Sequence, residues 1–70
     1  MKNRTCTAFV LLRNGKPIRI VQTQWLHHCR SFSMSRTELF SYMHGYCDAM
    51  GDMYTFDDYT EELSLPIVEV

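Results

Sequence analysis

Asn14-Gly15 sits between two apolar runs rich in β-branched residues. Both residues accept positive φ, as a type I′ turn requires, so residues 5–24 read as a β-hairpin. Centring the turn on this pair opposes Leu11 with Ile18, Phe9 with Ile20 and Thr7 with Gln22 on one face. The other face then carries Leu12 with Pro17, Val10 with Arg19, Ala8 with Val21, Cys6 with Thr23 and Arg4 with Trp25. Pro17 falls at a non-hydrogen-bonded position and would spoil a further ladder on its outer side. That predicts an edge position for the second strand.

A helix follows, with both ends marked. Ser35 and Glu38 have the spacing of a capping box, Met34 and Leu39 that of a hydrophobic staple, and Gly51 stands where a helix stops. The pattern predicts a helix over residues 36–50. At about 100° per residue, Leu39, Phe40, Met43, Tyr46, Cys47 and Met50 fall within an arc of roughly 120°, the core-facing stripe. Ser41, Gly45 and Ala49 recur on the opposite side and read as a solvent-facing row, with a helix–helix contact as the competing reading.

Residues 52–63 are acidic with interleaved aromatics. Thr55 can cap a second short helix with Asp57 and Asp58 in its first turn and Phe56, Tyr59 and Leu63 on one face; a strand at Met53–Phe56 competes with it. Leu65–Val70 has the β-branched character of a final strand, with Pro66 near its start. No linker, repeat or low-complexity stretch interrupts residues 1–70, which read as a single α+β domain. The expected architecture is a small antiparallel sheet in the order second, first, final strand (2-1-3). A right-handed crossover then lays the main helix on the face of Phe9, Leu11, Ile18 and Ile20. The face of Val10, Val21 and Trp25 stays uncovered, which predicts a homodimer or a partner there.

The charges are ordered along the chain. Lys2, Arg4, Arg13, Lys16, Arg19, Arg30 and Arg36 all precede Glu38, Asp48, Asp52, Asp57, Asp58, Glu61, Glu62 and Glu69. The net charge of −1 therefore hides a +7 half and a −8 half. Shuffling would give this order only about once in several thousand trials, so it is a true asymmetry between halves. The two halves either neutralise each other within the fold or present faces of opposite sign to partners.

Seventy residues bury roughly 60% of the unfolded surface, a marginal core. Against that, five Met and nine aromatic residues form a large apolar load, which favours an oligomer or a partner-binding domain. Three cysteines lack the spacing of a secreted disulfide scaffold, and no run approaches the ~20 apolar residues of a membrane span. The expected setting is the reducing cytoplasm.

Four kinds of chemistry are open to these residues. His28, Cys29, His44 and Cys47 include metal-ligand types, with His44 and Cys47 at i, i+3. No C-x₂-C knuckle supports them, so no metal or other cofactor is expected. Cys29 beside His28, and Cys47 near His44 and Asp48, pair nucleophile and base types. Without a phosphate loop or paired carboxylates they point to no enzyme. A basic hairpin bearing Arg4, Arg13, Lys16 and Arg19, followed by Trp25 and Arg30, could contact phosphates and stack on a base. The sequence pI near 6.2 weighs against nucleic-acid binding, which stays the alternative.

Protein recognition is the preferred reading. Tyr54, Asp57, Asp58, Tyr59 and Glu62 on the acidic side, and Arg19, Val21, Trp25 and Arg30 on the basic side, combine aromatic anchors with steering charges. This fits a small regulatory or accessory protein of the kind that phage and mobile elements encode to bind and modulate a host protein.

Overall fold

The Asn14-Gly15 turn forms as its residues dictate, with φ of 53° and 78°. It joins β1 (Ala8–Arg13) to β2 (Lys16–Gln22) in an antiparallel pair. The computed structural model describes residues 8–59 and 63–70. The expectations for residues 5–7, Arg4, Cys6, Glu61 and Glu62 lie outside the described residues. After the hairpin come β3 (Trp25–Leu26), β4 (Ser31–Phe32), α1 (Arg36–Met50), β5 (Tyr54–Asp58) and β6 (Ile67–Glu69).

The predicted register holds only at the hairpin tip. Leu12 opposes Pro17 and Arg13 opposes Lys16, but Leu11 opposes Arg19, Val10 opposes Ile20 and Phe9 opposes Val21. One extra residue on β2 at Ile18 makes a bulge, and every later β2 side chain changes face. Val21 therefore joins Phe9 and Leu11 in the core under the helix, at 3% exposure, instead of standing on an open face. Ile20 moves the other way, beside Val10, and both are buried on the face away from α1.

The sheet is mixed, not antiparallel, and its order is β5-β1-β2-β6. β5 pairs antiparallel with β1, and β6 pairs parallel with β2. The expected 2-1-3 order fails because β2 is not an edge. β6 pairs only with Ile20–Gln22, beyond the reach of Pro17, so the missing proline N–H costs nothing. The Ile20 N–H donates to the Pro66 carbonyl at 2.9 Å, which anchors the start of that ladder.

The second short helix is absent among the described residues, and β5 stands in its place, longer than the competing Met53–Phe56 strand. Tyr54, Phe56 and Asp58 alternate with Thr55 and Asp57, and the alternation places Tyr54 and Phe56 against the core. β3 and β4 form a separate ribbon, Trp25 opposite Phe32, in a stretch that the sequence pattern leaves as loop.

α1 matches its predicted bounds. The Ser35 hydroxyl accepts from the Glu38 N–H at 3.2 Å, and the Glu38 carboxylate accepts from the Ser35 N–H at 2.7 Å. The Gly51 N–H closes the last turn on the Cys47 carbonyl, and Gly51 takes φ of 117°. Leu39, Met43 and Cys47 are buried, while Phe40 and Met50, from the same predicted stripe, stay exposed. At about 100° per residue Phe40 lies at the edge of that stripe, while Met50 lies within it but is the last residue of α1. A Cβ at Gly45 would meet nothing within 4 Å, so the Ser41, Gly45 and Ala49 row faces solvent.

Candidate functional site

β5 is an edge strand with α1 packed beside it, and a groove runs between them. Phe9 from β1, Phe56 from β5 and Phe40 from α1 form its floor. Phe56 stands edge-on to Phe9 at 5.2 Å and to Phe40 at 5.4 Å between ring centroids. His44, one helical turn after Phe40, lies edge-on to Phe40 at 4.7 Å and to Phe56 at 5.1 Å. These edge-to-face contacts suit the ring quadrupoles and hold the rings in one layer.

Carboxylates rim the groove. Asp57 and Asp58 close one concavity of about 280 Å³, lined also by Phe9, Phe40, His44 and Phe56. Asp48 rims a second, of about 330 Å³, shared by His44, Cys47, Tyr54 and Phe56. His44 and Phe56 belong to both, so the two hollows are continuous. Both are open to solvent, and each is at the small end of ligand pockets, room for side chains rather than for a whole cofactor.

A cation from the chain already uses one end of this surface. The Arg36 guanidinium lies 4.8 Å from the Phe9 ring centroid and pairs with the Asp58 carboxylate. Aromatic face and carboxylate together are a favourable seat for a guanidinium. Asp57 is exposed, and its Oδ1 accepts from the Asp58 N–H at 2.9 Å. Tyr54 is half-buried under Arg13, whose guanidinium carbon stands 5.9 Å from its ring centroid. Tyr59 is half-buried too, its hydroxyl accepting from the Leu63 N–H at 3.3 Å.

The basic side is dispersed. Arg19 does not stand on an open face: the bulge turns it toward α1, where it donates to the Tyr46 hydroxyl at 3.2 Å. Val21, expected at a partner surface, is core. Trp25 is half-buried in the small ribbon, edge-on to Phe32 at 4.9 Å and near His27 at 6.3 Å, rather than on the sheet face. Arg30 is exposed in the turn between β3 and β4, with φ of 53°. Arg13 and Lys16 are exposed register partners at the hairpin tip.

The metal-type residues do not gather at one point: His28 and Cys29 lie in the exposed β3–β4 turn, whereas His44 and Cys47 share the second hollow. Among the described residues no three His, Cys, Asp or Glu side chains come together as a metal site. Burial pushes the Cys47 thiol above its ordinary value of 9.0, and neighbouring Asp48 adds to the shift. A thiol held neutral in this way is a poor nucleophile.

The sequence names Tyr54, Asp57 and Asp58 as candidates and does not bring Phe40, His44 and Phe56 together as one cluster. The i, i+4 spacing of Phe40 and His44 was legible; their meeting with Phe56 depends on β5 lying beside β1. Among the described residues, no helix is long and apolar enough to cross a membrane. Comparison of the chain with protein-family models, with curated proteins and with solved structures finds no match.

Proposed function

We propose that this chain is a small, non-enzymatic protein-interaction module that uses the acidic, aromatic groove between α1 and β5. The observation that carries the reading is an aromatic layer left open on its outer side. Phe40 is 47% exposed although it packs on Phe9, Phe56 and His44, and Asp48, Asp57 and Asp58 surround the opening. Exposed aromatic anchors in a concave, charged rim have the anatomy of an interface core. The rim selects a partner segment that brings an apolar side chain for the ring layer and a Lys or Arg for the carboxylates. Regulation of that partner follows from occupancy alone, with no chemical step at the groove.

The test is affinity capture with the full chain, run beside Phe40→Ala and an Arg13→Glu/Lys16→Glu double variant. A protein partner that binds the groove should be lost with Phe40→Ala, at a cost of about 2 kcal/mol or more, and kept by the double variant. Binding of nucleic acid that falls steeply with salt, and disappears only in the double variant, would replace this reading with the basic hairpin.

A further inference from the structure

We infer that Arg36 is a built-in stand-in for a partner's arginine, and that an arginine-bearing segment displaces it from its seat on Phe9 and Asp58. This deepens the groove reading above, on which it rests, by naming the side chain that the carboxylates recognise. Arg36 is the first residue of α1, directly after the Ser35 cap. A cation there opposes the helix dipole, so the helix itself does nothing to hold it in place. It nevertheless lies across one end of the groove, its guanidinium carbon 4.8 Å from the Phe9 ring centroid. It pairs with Asp58 rather than with Glu38 on its own helix. Both members of the pair are more than half exposed, at 56% and 55%, so the contact costs little to break.

The seat and the groove are one surface. Phe9 and Asp58 hold Arg36 and also line the concavity of about 280 Å³, with Phe40, His44, Phe56 and Asp57. Phe9 is 1% exposed, with Phe40 and Phe56 beside it and the guanidinium over its ring. Swinging Arg36 into solvent opens that ring face and frees the Asp58 carboxylate. An arriving guanidinium then meets the two groups that already hold one, and its planar fork can engage both carboxylate oxygens. A lysine ammonium suits the seat less well, because it has no flat face to lay on the ring. Spacing sets the rest of the segment. The Phe9 and Phe40 centroids are 6.0 Å apart, near the roughly 6.6 Å between alternate side chains of an extended chain. A segment reading apolar-x-Arg therefore lays its apolar side chain on exposed Phe40 while its arginine replaces Arg36. The contact uses side chains alone. The Tyr54 N–H is already bonded to the Gly51 carbonyl at 3.1 Å, and the Asp58 N–H to the Asp57 carboxylate. Competition with Arg36 makes the groove selective, since a partner must outbid a resident guanidinium to enter.

The test is a nuclear magnetic resonance titration of the full chain with the blocked peptide acetyl-Gly-Leu-Gly-Arg-Gly-amide. The Arg36 δ-methylene protons should be shifted by the Phe9 ring in the free protein and move back toward solvent values as the peptide saturates. Arg36→Gln should tighten the peptide about fivefold, because the seat no longer has to be vacated. Lys16→Gln makes the same change in net charge at the hairpin tip and should alter affinity by less than about twofold. Lysine in place of the peptide's arginine should weaken binding about fivefold. Neutral citrulline at that position should abolish it, as should Asp58→Asn in the protein. Binding that is lost with Phe40→Ala but unmoved by Arg36→Gln and Asp58→Asn overturns the inference and leaves the groove reading standing. No binding to the wild type or to Arg36→Gln also overturns it, while the capture experiment above decides the groove reading separately.

Discussion

Thr23 is fully buried, and its hydroxyl has no hydrogen-bond partner among the described residues. An unpaired buried hydroxyl costs stability, whereas a methyl of the same shape does not. Thr23→Val should therefore raise the unfolding free energy by about 1 kcal/mol in urea titration. Ser35 shows the opposite case. Ser35→Ala removes an acceptor that satisfies a helix N-terminal donor and should cost about 1 kcal/mol, while Ser35→Asp should restore most of it. Cys47 couples stability to pH. Its thiol is raised in the fold, so the neutral form is favoured there. The stabilisation is complete below the ordinary thiol value of 9.0 and is lost as pH climbs through the higher folded value. Alkaline melts should show this loss in the wild type and not in Cys47→Ala, measured relative to each protein's own neutral-pH stability. Exposed Cys29 should be alkylated well before Cys47, as peptide mapping would show.

The element most dependent on its neighbours is β6. Val68 is the register partner of Val21, and in a parallel ladder the flanking bonds to Ile20 and from Val70 to Gln22 turn the Val68 N–H toward β2. Val68→Pro removes that donor and should strip hydrogen-exchange protection from Gln22 and Val70. Glu69→Pro, whose N–H points outward, should leave the ladder largely protected. Elements also differ in how openly the sequence declares them. The β1–β2 turn and α1 are specified by neighbours in the chain: Asn14-Gly15 by its tolerance of positive φ, and α1 by Ser35, Glu38 and Gly51. β5 carries no comparable local mark. Thr55, with Asp57 and Asp58 two and three residues on, is also good helix N-terminus chemistry. The strand wins because Phe56 can reach Phe9 and Phe40 only from a position beside β1. The bulge at Ile18 is likewise invisible locally, since Ile20 and Val21 are both apolar and both find a buried face.

Across the described residues, the charge order adds little internal glue. Among the described residues one ion pair, Arg36–Asp58, joins the basic half to the acidic half, and both side chains are more than half exposed. Exposed pairs of this kind contribute little, so Arg36→Gln should lower stability by less than about 1 kcal/mol. The charges are instead left on surfaces: acidic around the α1–β5 groove, basic at the hairpin tip and the β3–β4 turn. The molecule is also thin, 37 × 23 × 16 Å, with α1 laid on one face of the four-stranded sheet. So shallow a core cannot absorb all its large apolar residues, and Phe40 and Met50 remain in solvent.

The sequence by itself determined what neighbouring residues can decide: the hairpin turn, the full extent of α1 with its capping box, the α+β class, and the candidates Tyr54, Asp57 and Asp58. These rest on dihedral preference, capping geometry and charge, which act within a few residues. Tertiary structure decided the mixed sheet, the face taken by each β2 residue, and the meeting of Phe9, Phe40, His44 and Phe56 in one groove. Those outcomes turn on which strand lies beside which. That choice is made by side chains distant in sequence competing for the same few buried places, and a local pattern carries no record of the competition.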